Sequence, residues 1–373
     1  MRTFFPKGNV AKCYAIVNNQ GPIQNIYCKE IICICEEALI NNYRSKESMG
    51  NVYIEPALKN YFIPYSQRSA SKSLKTITRG SKLALSNDAK IIRPFIWWTN
   101  INEDTDRYSQ YRVDIDLSSA IYDENWKYLQ HISFTNLKSD KFKVYHSGDI
   151  VNGGSVNGAG VAEFIDIDID SIIKNGGRYV MCQVLSYTGT PYCELPNCRF
   201  GWMERANINS GEIFEPKTVV QKMDLTTETR VCIPVIIDCL NKEIIWADLS
   251  NSLDNFSRSS NTIENNLTGS SIIAYALANM HKPTIYDLVY LNAIATGSLV
   301  DNIEQADYIF GVDNTQEYIE LCESRKAEKE QQDEEIKKFK EEHKDEEISL
   351  DVLNIRIPKV ITAFDTDVYS EMI

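Results

Sequence analysis

Residues 164–170 read FIDIDID. Ile165, Ile167 and Ile169 alternate with Asp166, Asp168 and Asp170. Successive side chains of a strand point to opposite faces, so this period of two sets an apolar row toward a core and an acidic row toward water or a metal. The neighbourhood is built from similar pieces. From Ile91 to about Leu249, short β-type segments follow one another between turn residues: IIRPFIWW, YRVDIDLSSAIYD, HISFTNL, KVYHSG, AEFIDIDID, RYVMCQVLSY, RVCIPVIIDC and EIIWADL. Strand signals at that spacing predict a mainly β fold, an antiparallel β-sandwich or barrel.

The flanks differ in texture. Residues 1–88 read as a small N-terminal α/β element: a strand candidate from Ala11 to Val17, a Gly-Pro turn, and an apolar helical pattern from Ile26 to Tyr43. A basic stretch follows, with Lys59, Arg68, Lys72, Lys75, Arg79 and Lys82 in an otherwise acidic chain. It reads either as a solvated amphipathic helix or as an anion- or partner-binding face through Arg68, Lys72, Lys75 and Arg79. Residues 89–250 carry the sandwich. Residues 251–316 form a helical extension, SSIIAYALANM and then PTIYDLVYLNAIATG, with Pro283 opening and Gly297 closing the second helix. Residues 317–347 are a charged helix or linker with Glu–Lys pairs but no apolar seam, and residues 348–373 a C-terminal docking segment, detached or partner-binding.

The chain has 373 residues, 43% of them hydrophobic, enough to bury a sizeable core. Its 39 Lys and Arg against 52 Asp and Glu give a net charge of −13, which disfavours nucleic acid and anionic membrane and favours cations. No run of about 18 apolar residues predicts a membrane span, and the apolar start is too short for a secretory signal, so the expected location is cytoplasmic. The ten cysteines then read as reduced thiols, mostly buried small hydrophobes, with Cys28, Cys33 and Cys35 in a core helix. Cys193 and Cys198 stand at the loose end of zinc-knuckle spacing, with no second pair nearby.

Asp114 and Asp116 stand at i and i+2 in RVDIDLSS, so on a strand both carboxylates leave one face about 7 Å apart. Such a pair repels unless it faces water, one member is protonated, or a cation neutralises it. A solvent-facing acidic strand edge would satisfy the spacing. The loop YHSGDIVNGG, residues 145–154, favours the cation: Asp149 offers a carboxylate, Ile150 a main-chain carbonyl and Asn152 an amide oxygen, with Gly148 and Gly153 giving turning freedom. Glu163 and Asp168 follow where the chain returns to the sheet. Calcium, which takes six to eight oxygens of these kinds, is the cation that such a set would suit, beside the reading as a solvent-facing acidic edge.

The ordered set VDIDLSSAIYDENWKYLQHISFTNL, YHSGDI, EFIDIDIDSI and VLSYTGTPY, spanning residues 113–192, resembles the TerD-like family of bacterial tellurium-resistance and stress-response proteins. That resemblance implies a calcium-binding β-sandwich with Asp114, Asp116 and Asp149 as ligands, and protein partners in a stress-response assembly. The segments FPKGNVAK, VYIEPALKNYFIPYSQRSASKSL and LVYLNAIATGSLVDNIEQADYIF look like the flanks of multidomain members of that family. One departure matters: the acidic, glycine-rich run that often follows SGDN in the family is replaced by IVNGGSVNGAGVAEF, without a carboxylate between Asp149 and Glu163. Fewer charged ligands imply one calcium rather than two.

Only four histidines are present, and GxxxxGK[ST], HExxH and GxSxG are absent, as is a GxGxxG after a strand. The expectation is therefore a non-enzymatic calcium module. The alternative is a metal-dependent hydrolase built on the same carboxylates, with His146 as general base.

Overall fold

The computed structural model of the chain describes residues 2–4, 14–64, 71–73, 77–104, 106, 108–205, 219–251, 262–342 and 355–372. In chain order the strands are β1 (Arg2–Phe4), β2 (Tyr14–Ile16), β3 (Gly50–Ile54), β4 (Ser71–Ser73), β5 (Lys82–Ala84), β6 (Ile91–Trp98), β7 (Ile115–Tyr122), β8 (Tyr128–Ile132), β9 (Lys138–Ser139) and β10 (Val144–His146). They continue with β11 (Val161–Asp168), β12 (Tyr179–Ser186), β13 (Cys198–Arg205), β14 (Val219–Leu225), β15 (Val231–Asp238), β16 (Glu243–Asn251), β17 (Gly297–Leu299), β18 (Tyr308–Gly311) and β19 (Lys359–Thr362). The helices are α1 (Asn25–Tyr43), α2 (Ile169–Lys174), α3 (Ile263–Ala278), α4 (Ile285–Thr296), α5 (Gln316–Glu342) and α6 (Thr366–Met372).

Two compact units divide the chain: residues 1–20 with 66–281, and residues 21–65 with 282–373. The first is mainly β. A seven-stranded sheet runs β4-β14-β13-β6-β11-β10-β9 and a six-stranded sheet β5-β16-β15-β12-β7-β8, with antiparallel neighbours throughout. The two sheets pack face to face; Trp202 of one and Trp246 of the other meet edge-on, with ring centroids 6.4 Å apart. The opposite face of the six-stranded sheet is covered by α3, which buries Ile263, Ala274 and Leu277 against Ala120, Tyr122, Met181 and Ile245. Covered on both sides, β7, β12 and β15 are buried along their whole length and are mostly apolar, with Asp116, Ser118, Ser119, Gln183, Ser186 and Asp238 as buried polar exceptions.

The stretch FIDIDID departs from its expected division of faces. Ile165 and Ile167 are fully buried, but Asp166 on the other face is buried as well. It accepts two hydrogen bonds from the Arg93 guanidinium, at 2.6 and 2.7 Å, and Arg93 lies 4.2 Å over the Phe164 ring. Asp166 thus faces neither water nor a metal. The strand ends at Asp168, whose carboxylate accepts from Ser171 N at 2.8 Å and caps α2, so Ile169 and Asp170 belong to a helix.

In the second unit, β17-β3-β18-β19 form a parallel sheet. Val52, Ile54, Val289, Phe310, Ile361 and Tyr369 make its core with α4 and α6. Thr284 and Asp287 form a reciprocal capping box at the start of α4, and Gly297 closes it. The sequence divides into five consecutive segments; the units interleave instead, because β3 pairs with strands some 250 residues further on in the chain. The C-terminal segment is not detached: β19 extends this sheet beside β18. Two further expectations are corrected. The described part of the basic stretch forms a 3-10 turn at Pro56–Asn60 and the strands β4 and β5, not a helix. Helix α1 is not a core helix: Ile26, Ile31, Ile32 and Ile34 are each more than half exposed, and Cys33 and Cys35 are exposed. Among the described residues no helix is long and apolar enough to cross a membrane.

Candidate metal centre

Asp114 precedes β7 and Asp116 lies within it, paired with Leu185 of β12. The spacing places both carboxylates on one face, as the sequence predicts, but both residues are only 3% exposed. Asp149 comes from the loop between β10 and β11, in the opposite sheet, and is exposed. One carboxylate oxygen from each of the three lies within 4.8 Å of the other two. Oxygens on opposite sides of one calcium ion stand about 5 Å apart, twice a bond of roughly 2.4 Å, so a single ion fits the spacing. Arg112 brings a charge of opposite sign to the group, its Nη2 3.7 Å from Asp114 Oδ2.

The loop is held by buried polar groups that present backbone to one another. Glu163, fully buried on β11, accepts from Ile150 N at 2.8 Å and from Leu117 N at 2.9 Å. His146 Nδ1 accepts from Gly148 N at 3.0 Å, so the ring proton sits on Nε2, which lies 3.0 Å from Leu117 O and 3.5 Å from Glu163 Oε2. The pairing of β7 with β8 begins only at Ser119, so the outward amide and carbonyl of Leu117 have no strand opposite them. Glu163 and His146 satisfy both from the facing sheet. Asn100 ties the other end: its Oδ1 accepts from Val113 N at 3.0 Å and Gly153 N at 3.1 Å, and its Nδ2 donates to Asn152 Oδ1 at 2.8 Å. Two glycines are required here. Gly148 has φ +119°, and a Cβ on Gly153 would lie 2.7 Å from the Thr99 carbonyl carbon and the Trp98 ring.

Burial and neighbouring acids dominate the electrostatics at Asp116. Burial, then the carboxylates of Asp114, Glu163, Asp149 and Glu264, push the Asp116 carboxyl up to about 9. Asp116 Oδ2 is buried and accepts no hydrogen bond. A buried Asp116 oxygen without a hydrogen-bond partner, within a group of three carboxylates, is compensated either by a proton on Asp116 or by a hard cation.

The seven expected metal ligands separate accordingly. Asp114, Asp116 and Asp149 are brought together. Ile150 stands beside them with its amide fixed by Glu163, while Glu163 and Asn152 spend their oxygens on the loop, Asn152 Oδ1 accepting from Asn100 Nδ2 and from Gly154 N at 3.0 Å. Asp168 is not brought there: five residues beyond Glu163, about 17 Å along the strand, it caps α2. Of the basic residues, Arg68 and Lys75 lie outside the described residues, and Lys72 is described only as backbone of β4. Arg79 is committed to structure, its Nε donating to Ala247 O at 2.9 Å. Asn100 was not singled out in the sequence; its one signal is the polar pair Thr99–Asn100 that ends the apolar run IIRPFIWW.

No protein-family profile matches the sequence, and no curated protein matches it. Among solved structures, the crystal structure of a homologue of telluride resistance protein (TerD) from Streptomyces coelicolor A3(2) aligns with a TM-score of 0.32 and 10% sequence identity, covering 44% of this chain and 94% of that chain.

Proposed function

We propose that the chain is a calcium-binding, non-enzymatic module of a bacterial stress-response system of the tellurium-resistance type, acting in the cytoplasm by metal binding and protein scaffolding. The observation that supports it is the convergence of Asp114, Asp116 and Asp149 around a buried carboxylate oxygen with no hydrogen-bond partner. The ion would join β7 of one sheet to the 147–154 loop of the other. Three carboxylates, one of them exposed, with backbone oxygens completing the shell, suit one calcium rather than two. The charged surface of α5 offers protein partners an arm 27 residues long.

The hydrolase reading finds no base in His146. The ring is fully buried, and its two nitrogens are engaged by Gly148 N and Leu117 O. The test is a calcium titration followed by thermal unfolding. Calcium should raise the melting temperature of the wild type and leave Asp114→Asn/Asp149→Asn unmoved, with no turnover on phosphoester or peptide panels. An unchanged calcium shift in the double variant would refute the site.

A further inference from the structure

A second constellation lies on β8, the edge strand of the six-stranded sheet. Residues three apart on a regular strand point to opposite faces. On β8 the register slips: Ala120 pairs with His131 and Ile121 with Gln130, but Tyr122 pairs with Tyr128. The extra residue, Leu129, turns Tyr128 back to the face His131 occupies, the re-aiming that bulges supply beside functional groups. Tyr128 Oη then lies 2.7 Å from His131 Nδ1. On the far side of the imidazole, Nε2 lies 3.3 Å from Glu264 Oε1, in the first turn of α3. Ser133 and Thr135 donate to that same oxygen at 2.8 and 2.5 Å. Burial pushes the Glu264 carboxyl up, but hydrogen bonds from Thr135, its own backbone and Ser133 outweigh it, and the group stays ionised below the ordinary range.

Carboxylate, imidazole and hydroxyl in a row activate a nucleophile. Glu264 accepts the Nε2 proton, which leaves the lone pair of neutral His131 on Nδ1, and the phenol alone can donate to it. The row is reachable from solvent: the His131 and Glu264 side chains are 18% and 27% exposed, and Tyr128 is half-buried.

The geometry points to Tyr128 as an acyl-accepting nucleophile and modification site, with His131 as its general base and Glu264 as the positioning residue. The substrate class is a small activated acyl donor, an ester with a good leaving group. Tyr128 Oη bonds to the acyl carbon, the bond from that carbon to the leaving oxygen breaks with its electron pair, and the phenolic proton passes to His131 Nδ1. The products are acyl-tyrosine, imidazolium and the released oxyanion, with no oxidant or reductant. Burial and the Glu264 charge push the Tyr128 hydroxyl up, against a smaller effect of hydrogen bonding at His131, so the phenol is not ionised at neutral pH and the step depends on proton transfer. Among the described residues, the titratable groups in contact with His131 are Tyr128 and Glu264; Glu264 also bears on Asp116, so calcium is held constant in the test.

The full chain is incubated with p-nitrophenyl acetate from pH 5 to 9, and acetylated tyrosines are mapped by mass spectrometry. Tyr128 should acetylate at least tenfold faster than Tyr108, which is 89% exposed. Its pH profile should not follow ionisation of the phenol, because proton transfer to His131 takes its place. His131→Gln should reduce Tyr128 to the Tyr108 rate, and Glu264→Gln should slow it and displace the pH profile. A rate no faster than that of Tyr108, a profile that follows the phenol, an acetyl group on His131 alone, or an unchanged rate in folded His131→Gln would each overturn the assignment. The first three are read on the unmodified chain, so a variant that fails to fold does not shelter it.

Discussion

Replacing Asp116 with asparagine should stabilise the calcium-free protein at pH 8 while destroying its response to calcium. The folded carboxyl titrates at about 9 because it is buried among other acids, whereas in the unfolded chain it titrates near 4. Between those values the folded state holds a proton that the unfolded state has released, so the contribution of this group to stability is fully present below pH 4 and is lost as pH rises toward 9. Each pH unit corresponds to about 1.4 kcal/mol, which makes the cost at pH 8 on the order of 5 kcal/mol as an upper bound. Asparagine removes that slope. Its amide must still be buried with one unmet hydrogen bond, a cost of about 1–3 kcal/mol, so a net gain of about 2–4 kcal/mol remains. The assay is urea unfolding in a chelator from pH 5 to 9, followed by tryptophan fluorescence. All five tryptophans, Trp97, Trp98, Trp126, Trp202 and Trp246, belong to the first unit, so the signal reports the sandwich. Parallel stability profiles for wild type and variant, or a destabilised variant at pH 8, would refute the reasoning.

The same shift predicts that calcium binding near pH 7 releases about one proton, because the ion takes the place of the proton on Asp116; titration calorimetry in buffers of different ionisation enthalpy reads it, and a buffer-independent heat denies it. Gly153→Ala should weaken calcium binding more than tenfold, since the added methyl meets the Thr99 backbone and Trp98 at 2.7 Å and displaces the loop that carries Asp149; wild-type affinity in a calcium titration would show that the loop position is immaterial. Asp166→Ala should lower stability by about 3–5 kcal/mol, because it removes the carboxylate that holds the buried Arg93 guanidinium in a two-bond pair. The double change Arg93→Met/Asp166→Leu should recover most of that loss in the same urea assay, and no recovery would deny that loss of this ion pair is the cause.

Sandwich class and the Asp114, Asp116 and Asp149 trio are legible in the sequence because they depend on local spacing: i, i+2 on a strand, and glycines around one acid. FIDIDID identifies a strand correctly, yet period two cannot tell a solvated face from one with a buried partner. Asp166 looks like its neighbours until Arg93, 73 residues earlier in sequence, is placed across from it. Asp168 looks like a ligand because nothing in its neighbours shows that the strand stops there and α2 begins. The interleaving of the units is hidden for the same reason. The β3–β17 pairing is recorded in no local pattern, only in two short apolar runs whose partners lie far along the chain. Tyr128 and His131 escape notice because a bulge breaks the very periodicity by which strand faces are read.

The hydrogen bonds of Glu163 and His146 to Leu117 join the same two sheets that calcium would join through Asp114, Asp116 and Asp149. Glu163 and His146 hold Leu117 of β7 from the opposite sheet without any ion. They also fix Ile150 N and Gly148 N, the amides on either side of Asp149, so the loop is positioned before calcium arrives. A positioned loop loses little conformational freedom on binding, which offsets the shortage of acidic ligands after Asp149. His146→Ala should therefore weaken calcium affinity although the ring would touch no ion. The mechanism lies in the loop: amide hydrogen exchange at Gly148 should speed up in the calcium-free variant and slow again when calcium binds. Unchanged exchange at Gly148, together with unchanged affinity, would mean that the ion alone organises the loop.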